Sequence, residues 1–227
     1  MEKLIFIDKP AGMTSHDVVD RVRKELRIRQ VGHAGTLDPF ATGLLIIGIG
    51  DATKRLGELS GLPKTYEATA TLGATSTTFD LEGEITEMVG ASLAGAQNRA
   101  GTRPAPTRND IEEVFNRFRG GYAQKAPIYS AKKIGGKKLY ELARKGEARE
   151  EDRPTKNVTI TELEIISYEW PTLAFRVSCG SGTYIRSLAD DIGRELGCGA
   201  YLTALRRTSI GDISVQDAVT LDNLFRA

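Results

Sequence analysis

The segment of residues 33–39, HAGTLDP, combines a carboxylate with residues that stiffen the backbone around it. Pro39 disfavours helical geometry at the preceding residue, so Asp38 must lie in an extended segment or a turn. Glycines at positions 32, 35 and 43 permit tight bends and the close approach of a ligand. A carboxylate held in this way, just before the apolar run of residues 44–47, suits a catalytic acid, base or nucleophile. The alternative is an ordinary aspartate turn before a strand.

Two basic clusters point to a polyanionic partner. Residues 124–145 carry seven cations and one anion, a net charge of +6 in a chain whose total is +1. A second cluster, residues 21–29, holds five cations and Glu25. Solvated helix faces explain many such clusters. In a nearly neutral protein, and with Tyr129 and Tyr140 interleaved in the first, they fit a localised nucleic-acid-binding surface better.

Length and composition narrow the class of protein. The 227 residues suffice for one large domain or two small ones. No apolar stretch reaches the roughly 18 residues of a membrane span, and the N-terminus lacks a signal-peptide pattern. Cys179 and Cys198 are far apart and are predicted to be buried, reduced thiols, which favours the cytoplasm. The two histidines and two cysteines give no zinc-ligand spacing, whereas a magnesium ion held by carboxylates stays open.

The first third of the chain alternates strands with a helix. Residues 4–8 predict a strand, and Thr14 or Ser15 is expected to cap a helix with Asp17 in the capping-box position. Residues 44–50 predict a buried strand. Residues 65–72 alternate in polarity, which places Tyr66 on the inward face where that strand begins.

The remaining elements continue the mixture of strands and helices. Residues 89–108 are rich in glycine, proline and small residues and predict a flexible surface loop. Asn109 is expected to cap the next helix with Glu112 at N3, and Gly120 and Gly121 to end it. Further strands are predicted at residues 158–166, 173–177 and 202–213, with one helix opening at residues 181–183 and a short one after Thr220.

This order of elements predicts a mixed α/β or α+β fold, in which a largely antiparallel sheet is flanked by helices. We expect a single domain over residues 1–227. Residues 124–150 are expected to form an inserted basic arm that binds RNA.

Several motifs taken together resemble the TruB-type tRNA pseudouridine synthases. They are HAGTLDP followed by ATGLL, the strand entry Lys64-Thr-Tyr66, and Gly182-Thr-Tyr-Ile-Arg186, in that order. The segments DKPAG (8–12), IYSAK (128–132), GKKLYE (136–141) and LRR (205–207) are similar to the family as well. The similarity covers residues 8 to about 224 and implies the pseudouridine synthase fold.

The resemblance implies that the protein isomerises uridine to pseudouridine in RNA, with uridine 55 in the TΨC loop of tRNA as the family substrate. It implies no cofactor and no metal. The target base must be flipped out of the RNA before it can react, at a cost of a few kcal/mol.

The resemblance also assigns the catalytic residues. Asp38 becomes the catalytic carboxylate, and attack at C1′, attack at C6 and removal of a sugar proton all stay open. Arg186 becomes its ion partner, which keeps it charged; the alternative is a surface arginine paired with Asp190. Tyr66 becomes the residue that stacks on the flipped uracil, and the alternative is an ordinary core tyrosine.

Other assignments concern RNA binding. His33 resembles a residue beside the extruded nucleotide, and a turn histidine bonded to the backbone is the alternative. Leu205 resembles an apolar contact to the base, although a leucine near a strand is normally core. Lys64 is expected either to contact a phosphate or to be a solvated lysine. The lysines expected to grip backbone phosphates are Lys132, Lys133, Lys137 and Lys138.

The chain ends where family members commonly continue into a C-terminal RNA-binding (PUA) domain. We therefore expect a short form of the enzyme, and this makes the related guide-RNA-dependent enzymes less fitting. The expected partner is tRNA, with no membrane and no obligate protein partner, and the expected state is a monomer. The alternative function is a non-catalytic RNA-binding or RNA-folding protein that uses the same groove.

Overall fold

A computed structural model describes residues 2–88, 104–130, 133–134, 137–139 and 153–225. The strands are β1 (Lys3–Lys9), β2 (Val31–His33), β3 (Thr42–Ile49), β4 (Lys64–Leu72), β5 (Ala74–Ser76), β6 (Ile85–Glu87), β7 (Gly120–Lys125), β8 (Lys133–Ile134), β9 (Lys137–Lys138), β10 (Thr155–Glu169), β11 (Thr172–Cys179), β12 (Ala200–Ile210), β13 (Ile213–Ser214) and β14 (Val219–Thr220). The helices are α1 (Ser15–Leu26), α2 (Leu56–Gly61), α3 (Arg108–Phe118), α4 (Ile185–Leu196) and α5 (Leu221–Leu224). No helix in these described ranges has the length and apolar character needed to cross a bilayer.

The mixed α/β architecture predicted from the sequence is confirmed. The larger sheet has ten strands, and antiparallel pairs such as β1–β3, β2–β3 and β10–β7 outnumber the parallel pairs β1–β14 and β12–β3 among the described pairings. The chain divides into two compact units. The first unit comprises Met1–Glu67, Val177–Ser181 and Ala204–Ala227, and the second comprises Ala68–Arg176 and Gly182–Thr203.

The first unit is organised around β3, which is buried along nearly its whole length because both of its faces are covered. Leu45 and Ile47 pack into a cluster with Val18 and Val22 of α1. Their neighbours along the strand, Leu44 and Ile46, pack into a second cluster with Leu59 and Ile210. Successive side chains of a strand point to opposite faces, so a continuous apolar run is what a strand between two apolar layers requires.

Helix α1 begins as predicted. Thr14 is the N-cap, its side chain accepts the Asp17 N–H at 3.0 Å, and the Asp17 carboxylate accepts the Thr14 N–H at 2.8 Å. This reciprocal arrangement satisfies two backbone donors that a helix start otherwise leaves unpaired.

The start predicted for α3 is wrong. Thr107, not Asn109, is the N-cap, and Asp110 occupies N3 in a second capping box. Threonine and asparagine are both favoured caps, and the order Thr-x-x-Asp decides in favour of the earlier start. One face of α3 is buried through Ile111, Val114, Phe115 and Phe118. Phe115 packs edge-on against Phe175 with ring centroids 5.9 Å apart.

The predicted strand at residues 202–213 is divided in two. Strand β12 ends at Ile210, and β13 turns back to pair with it through Ser209↔Ser214 and Ile210↔Ile213. Gly211, at φ +54°, makes the reversal possible, because other side chains rarely adopt this backbone conformation. The predicted loop at residues 89–108 lies largely outside the described residues.

Candidate active site

The loop between β2 and β3 presents Asp38, and hydrogen bonds fix the residues on both sides of it. The Ser15 hydroxyl bonds to both backbone groups of Leu37: its oxygen accepts the Leu37 N–H at 2.8 Å and lies 3.2 Å from the Leu37 carbonyl oxygen. The carbonyl oxygen of Pro39 accepts the Gly12 N–H at 2.8 Å. Asp38 itself is half-buried. These bonds fix the backbone on both sides of Asp38, and the residue itself stays partly exposed.

Lys9 lies beneath this loop as a fully buried cation, with 0% of its surface exposed. Its ammonium group donates to the carbonyl oxygens of Pro10 (2.8 Å), Met13 (2.6 Å) and Pro39 (3.3 Å). Burial lowers the pKa of Lys9 to about 8, and the charge of Asp38 opposes this shift. Lys9 thus positions the Asp38 loop and places a positive charge near the Asp38 carboxylate.

Arg207 is a second fully buried cation of the first unit. Its guanidinium donates to the carbonyl oxygens of Leu44 (2.7 Å), Gly35 (3.1 Å) and Thr36 (3.4 Å). Gly43 of β3 allows the backbone of Arg207 in β12 to lie very close, because a Cβ at position 43 would lie 2.3 Å from the Arg207 carbonyl oxygen. The guanidinium therefore fixes the loop on the N-terminal side of Asp38.

Tyr66 is buried at the start of β4, on the inward face predicted from the alternation. Burial raises the pKa of its hydroxyl, and the positive charge of Arg207 and a hydrogen bond from its side chain partly offset the rise. The charge of Asp38 adds to it. Tyr66 is therefore a neutral phenol, electrostatically coupled to both Arg207 and Asp38. Both the stacking role and the core alternative remain compatible with this position.

Lys64 is not the solvated lysine that one interpretation expected, since only 7% of it is exposed. Its ammonium group donates to the carbonyl oxygens of Ser60 (2.9 Å) and Leu62 (2.6 Å), and burial lowers its pKa. The phosphate contact stays a prediction, but an ammonium that already bonds to two carbonyl oxygens is less available for it.

His33 and Leu205 also belong to the first unit. His33 is the last residue of β2 rather than a turn residue, and burial lowers the pKa of its imidazole, so it is neutral at pH 7. Leu205 is a buried residue of β12. Their proposed contacts with the RNA base remain predictions.

Arg186 lies in the first turn of α4, in the second unit. It is 6% exposed, and its guanidinium lies 3.1 Å from the carboxylate of Asp80. It also donates to the carbonyl oxygens of Thr78 (3.0 Å) and Tyr129 (3.3 Å). A buried guanidinium needs such partners, because a buried charge without them is very costly.

The interpretation of Arg186 as a surface residue is wrong, because its side chain is buried. Asp190 forms an ion pair with Arg194 at 2.8 Å. The predicted pairing of Arg186 with Asp38 is untested and stays a prediction. The partner that the structure gives to Arg186, Asp80, was not predicted from the sequence.

Comparison with protein families identifies the chain. Residues 23–185 match the model of the TruB family pseudouridylate synthase (N terminal domain), and residues 186–227 match the tRNA pseudouridylate synthase B C-terminal domain. The chain belongs to the TruB family.

Curated relatives of this TruB-family chain carry the name tRNA pseudouridine synthase B. The protein from Burkholderia lata is 44% identical over 99% of the chain, and that from Azoarcus sp. (strain BH72) is 45% identical over 99%. The chain spans 65% and 70% of the lengths of these two relatives.

Solved structures agree with the assignment to the TruB family. A Cbf5-Nop10-Gar1 complex matches with a TM-score of 0.71 and 28% identity, covering 98% of this chain and 53% of the other. An H/ACA RNP bound to a substrate RNA containing 2′-deoxyuridine matches with a TM-score of 0.69 and 26% identity, covering 98% and 52%.

The basic arm of this TruB-family chain is described only in part. Strands β8 and β9 form a two-stranded ladder with Lys133 opposite Lys138 and Ile134 opposite Lys137. Lys132 lies outside the described residues. The proposed grip of these lysines on RNA phosphates stays a prediction.

Three residues with buried contacts in the two units were not singled out by the sequence. The sequence indicates Ser15 only as a candidate helix cap, yet its hydroxyl bonds to the backbone of Leu37, the residue before Asp38. The sequence places Arg207 in the LRR motif (205–207) and indicates no role for it. Asp80 lies in a segment without periodicity, so only the tertiary structure shows it as the partner of Arg186.

Proposed function

We propose that this protein converts a uridine of RNA to pseudouridine, and that its substrate is uridine 55 in the TΨC loop of tRNA. The observation that carries the proposal is the constellation around Asp38. One half-buried carboxylate lies on a pinned loop, with the buried cations Lys9 and Arg207 and the neutral phenol of Tyr66 electrostatically coupled around it. Membership of the TruB family supports the same reaction.

The reaction is an isomerisation, so no atom enters or leaves overall. The bond between C1′ and N1 breaks, the uracil turns, and a bond forms between C1′ and C5. The hydrogen on C5 is lost to solvent, and N1 gains one. Asp38 is the group that acts on the nucleoside, and its three chemical routes remain open.

The surrounding residues keep Asp38 competent for this chemistry. Lys9 and Arg207 fix the loop that carries the carboxylate and bring positive charge near it. Tyr66 stacks on the everted base and, as a neutral phenol, has a proton to share. Arg186, which pairs with Asp80, contributes its guanidinium to the reaction, and the lysines of the arm bind phosphates.

The substrate assignment rests on the relatives. The relatives from Burkholderia lata and Azoarcus sp. are named tRNA pseudouridine synthase B and share 44–45% identity with the chain, against 26–28% for the H/ACA and Cbf5 structures. We therefore favour tRNA over an RNA presented by a guide. A tRNA substrate also fits the predicted cytoplasmic location.

The test uses a TΨC stem-loop that carries tritium at C5 of the target uridine. We expect the protein to release tritium to water and Asp38→Asn to release none while still binding the RNA, since the two side chains have the same size. Asp51→Asn, an exposed position in the same unit, is the matched control and should release tritium at the normal rate. Binding without release by the unmodified protein would instead favour the non-catalytic RNA-binding alternative.

A further inference from the structure

Gln124 of β7 forms two hydrogen bonds with the backbone of Tyr184, the residue just before α4. Its Oε1 accepts the Tyr184 N–H at 2.8 Å, and its Nε2 donates to the Tyr184 carbonyl oxygen at 3.0 Å. Only 1% of Gln124 is exposed. One carboxamide therefore pairs with both backbone groups of a single residue, as a neighbouring strand would.

The carboxamide is itself held in one orientation. Nε2 also donates to the Tyr122 hydroxyl at 2.6 Å, and that hydroxyl donates to the Asp191 carboxylate at 3.2 Å. The two hydrogens of the amide and the single hydrogen of the phenol each have an acceptor. If the amide were flipped, its oxygen would face the Tyr184 carbonyl oxygen, and both are acceptors. The two hydrogen bonds to Tyr184 therefore require the glutamine amide in this one orientation.

The hydrogen bonds to Tyr184 bear on the direction in which α4 begins. It is the N-cap of α4, and its side chain makes no capping hydrogen bond. Gly182, two residues earlier, adopts φ +78°, which lets the chain turn sharply into the helix. Because the segment enters the helix without a side-chain cap of its own, an external side chain can determine its direction.

Arg186 lies two residues after Tyr184, in the first turn of α4. Its guanidinium meets Asp80 at 3.1 Å and Thr78 at 3.0 Å, and contacts of this kind weaken with small displacements of the helix start. We propose that Gln124 is a positioning residue for the pseudouridine synthase reaction, which fixes Arg186 through the backbone of Tyr184. This inference rests on the proposed function.

The test is a double-mutant cycle between Gln124 and Arg186, followed by single-turnover tritium release. Gln124→Met keeps the length of the side chain and removes its hydrogen bonds. We expect it to slow release by about tenfold with RNA affinity within about twofold of the unmodified protein. In the Arg186→Lys background, where the fork of donors is already lost, the same substitution should slow release by less than about twofold.

A merely structural role of Gln124 predicts equal slowing in both backgrounds, and that result would overturn the inference. So would an unchanged rate in Gln124→Met. If Gln124→Met does not fold, Tyr122→Phe removes only the outer bond of the amide and should give a smaller slowing that disappears in the Arg186→Lys background. Gln30→Met, at an exposed glutamine of the first unit, is the matched control.

The two proposals fail in different ways. If the unmodified protein releases no tritium, the proposed function fails and this inference fails with it. If the unmodified protein releases tritium but the cycle shows no coupling, only the role of Gln124 is rejected.

Discussion

The buried cations Lys9 and Arg207 of the first unit differ from Arg186 of the second unit in the groups that stabilise them. In the first, Lys9 and Arg207 donate to backbone carbonyl oxygens, three each. In the second, Arg186 meets a carboxylate, Asp80, as well as two carbonyl oxygens.

Carbonyl oxygens satisfy donors but leave the net charge of a cation in place, whereas a carboxylate cancels most of it. The first unit therefore keeps positive charge near Asp38, where an ionised carboxylate is needed. In the second unit the charge of Arg186 is balanced by Asp80. We therefore expect Arg186 to act through the position of its planar guanidinium.

The largest expected effect comes from Arg186→Ala. We expect release of tritium to fall by roughly 10³-fold while affinity for the stem-loop changes by less than about threefold, because the residue acts through the position of its guanidinium rather than through contacts that bind RNA. Single-turnover release and filter binding measure the two quantities. Parallel losses of rate and affinity would show that Arg186 is a binding residue.

The lysines of the arm should behave in the opposite way. Replacing Lys132, Lys133, Lys137 and Lys138 together by alanine should weaken binding by about 10²-fold and reduce the dependence of affinity on salt, because phosphate contacts release counterions. The rate at saturating RNA should be unaffected. A salt dependence identical to that of the unmodified protein would place these lysines away from the RNA.

A substitution of Lys9 measures how much its hydrogen bonds to the backbone contribute to the free energy of unfolding. Lys9→Met leaves carbonyl oxygens without their donor and should lower the free energy of unfolding by about 3 kcal/mol. Lys3→Met, at the exposed start of the same strand, is the control and should change it by less than about 0.5 kcal/mol. Urea denaturation of the two variants provides the measurement, and equal values would contradict the structural role of Lys9.

The two units should change the free energy of unfolding with pH in opposite directions. In the second, burial raises the pKa of Asp191 to about 6 from 3.8, so the folded state binds more protons than the unfolded state between these values. Stability should therefore fall by up to about 3 kcal/mol as pH rises through this window, and Asp191→Asn should remove that fall.

In the first unit the sign is reversed. The pKa of Lys9 is lowered to about 8 from 10.5, so the unfolded state binds more protons between these values and stability should rise with pH. Lys9→Met should flatten this alkaline rise and leave the acidic window unchanged. Unfolding measured from pH 4 to 10 tests both windows, and a flat profile in the unmodified protein would contradict both assignments.

Much of the fold follows from local sequence. The apolar run of β3, the alternation of β4 and the capping box of α1 each depend on neighbouring residues, and all three were predicted. The errors at α3 and β12 have local causes too. Thr107 and Asn109 are competing caps, and Gly211 breaks a pattern that apolar periodicity alone extends.

The candidate site residues also differ in whether neighbouring residues or the tertiary structure determine their positions. The sequence by itself determined that Asp38 lies in a stiff, glycine-flanked loop and that Tyr66 faces inward, because both depend on residues a few positions away. Only the tertiary structure decided that Lys9 and Arg207 hold the Asp38 loop, that Asp80 pairs with Arg186, and that Gln124 grips Tyr184. These contacts join residues 30 to 172 positions apart, and the burial that makes them strong exists only once the chain has folded.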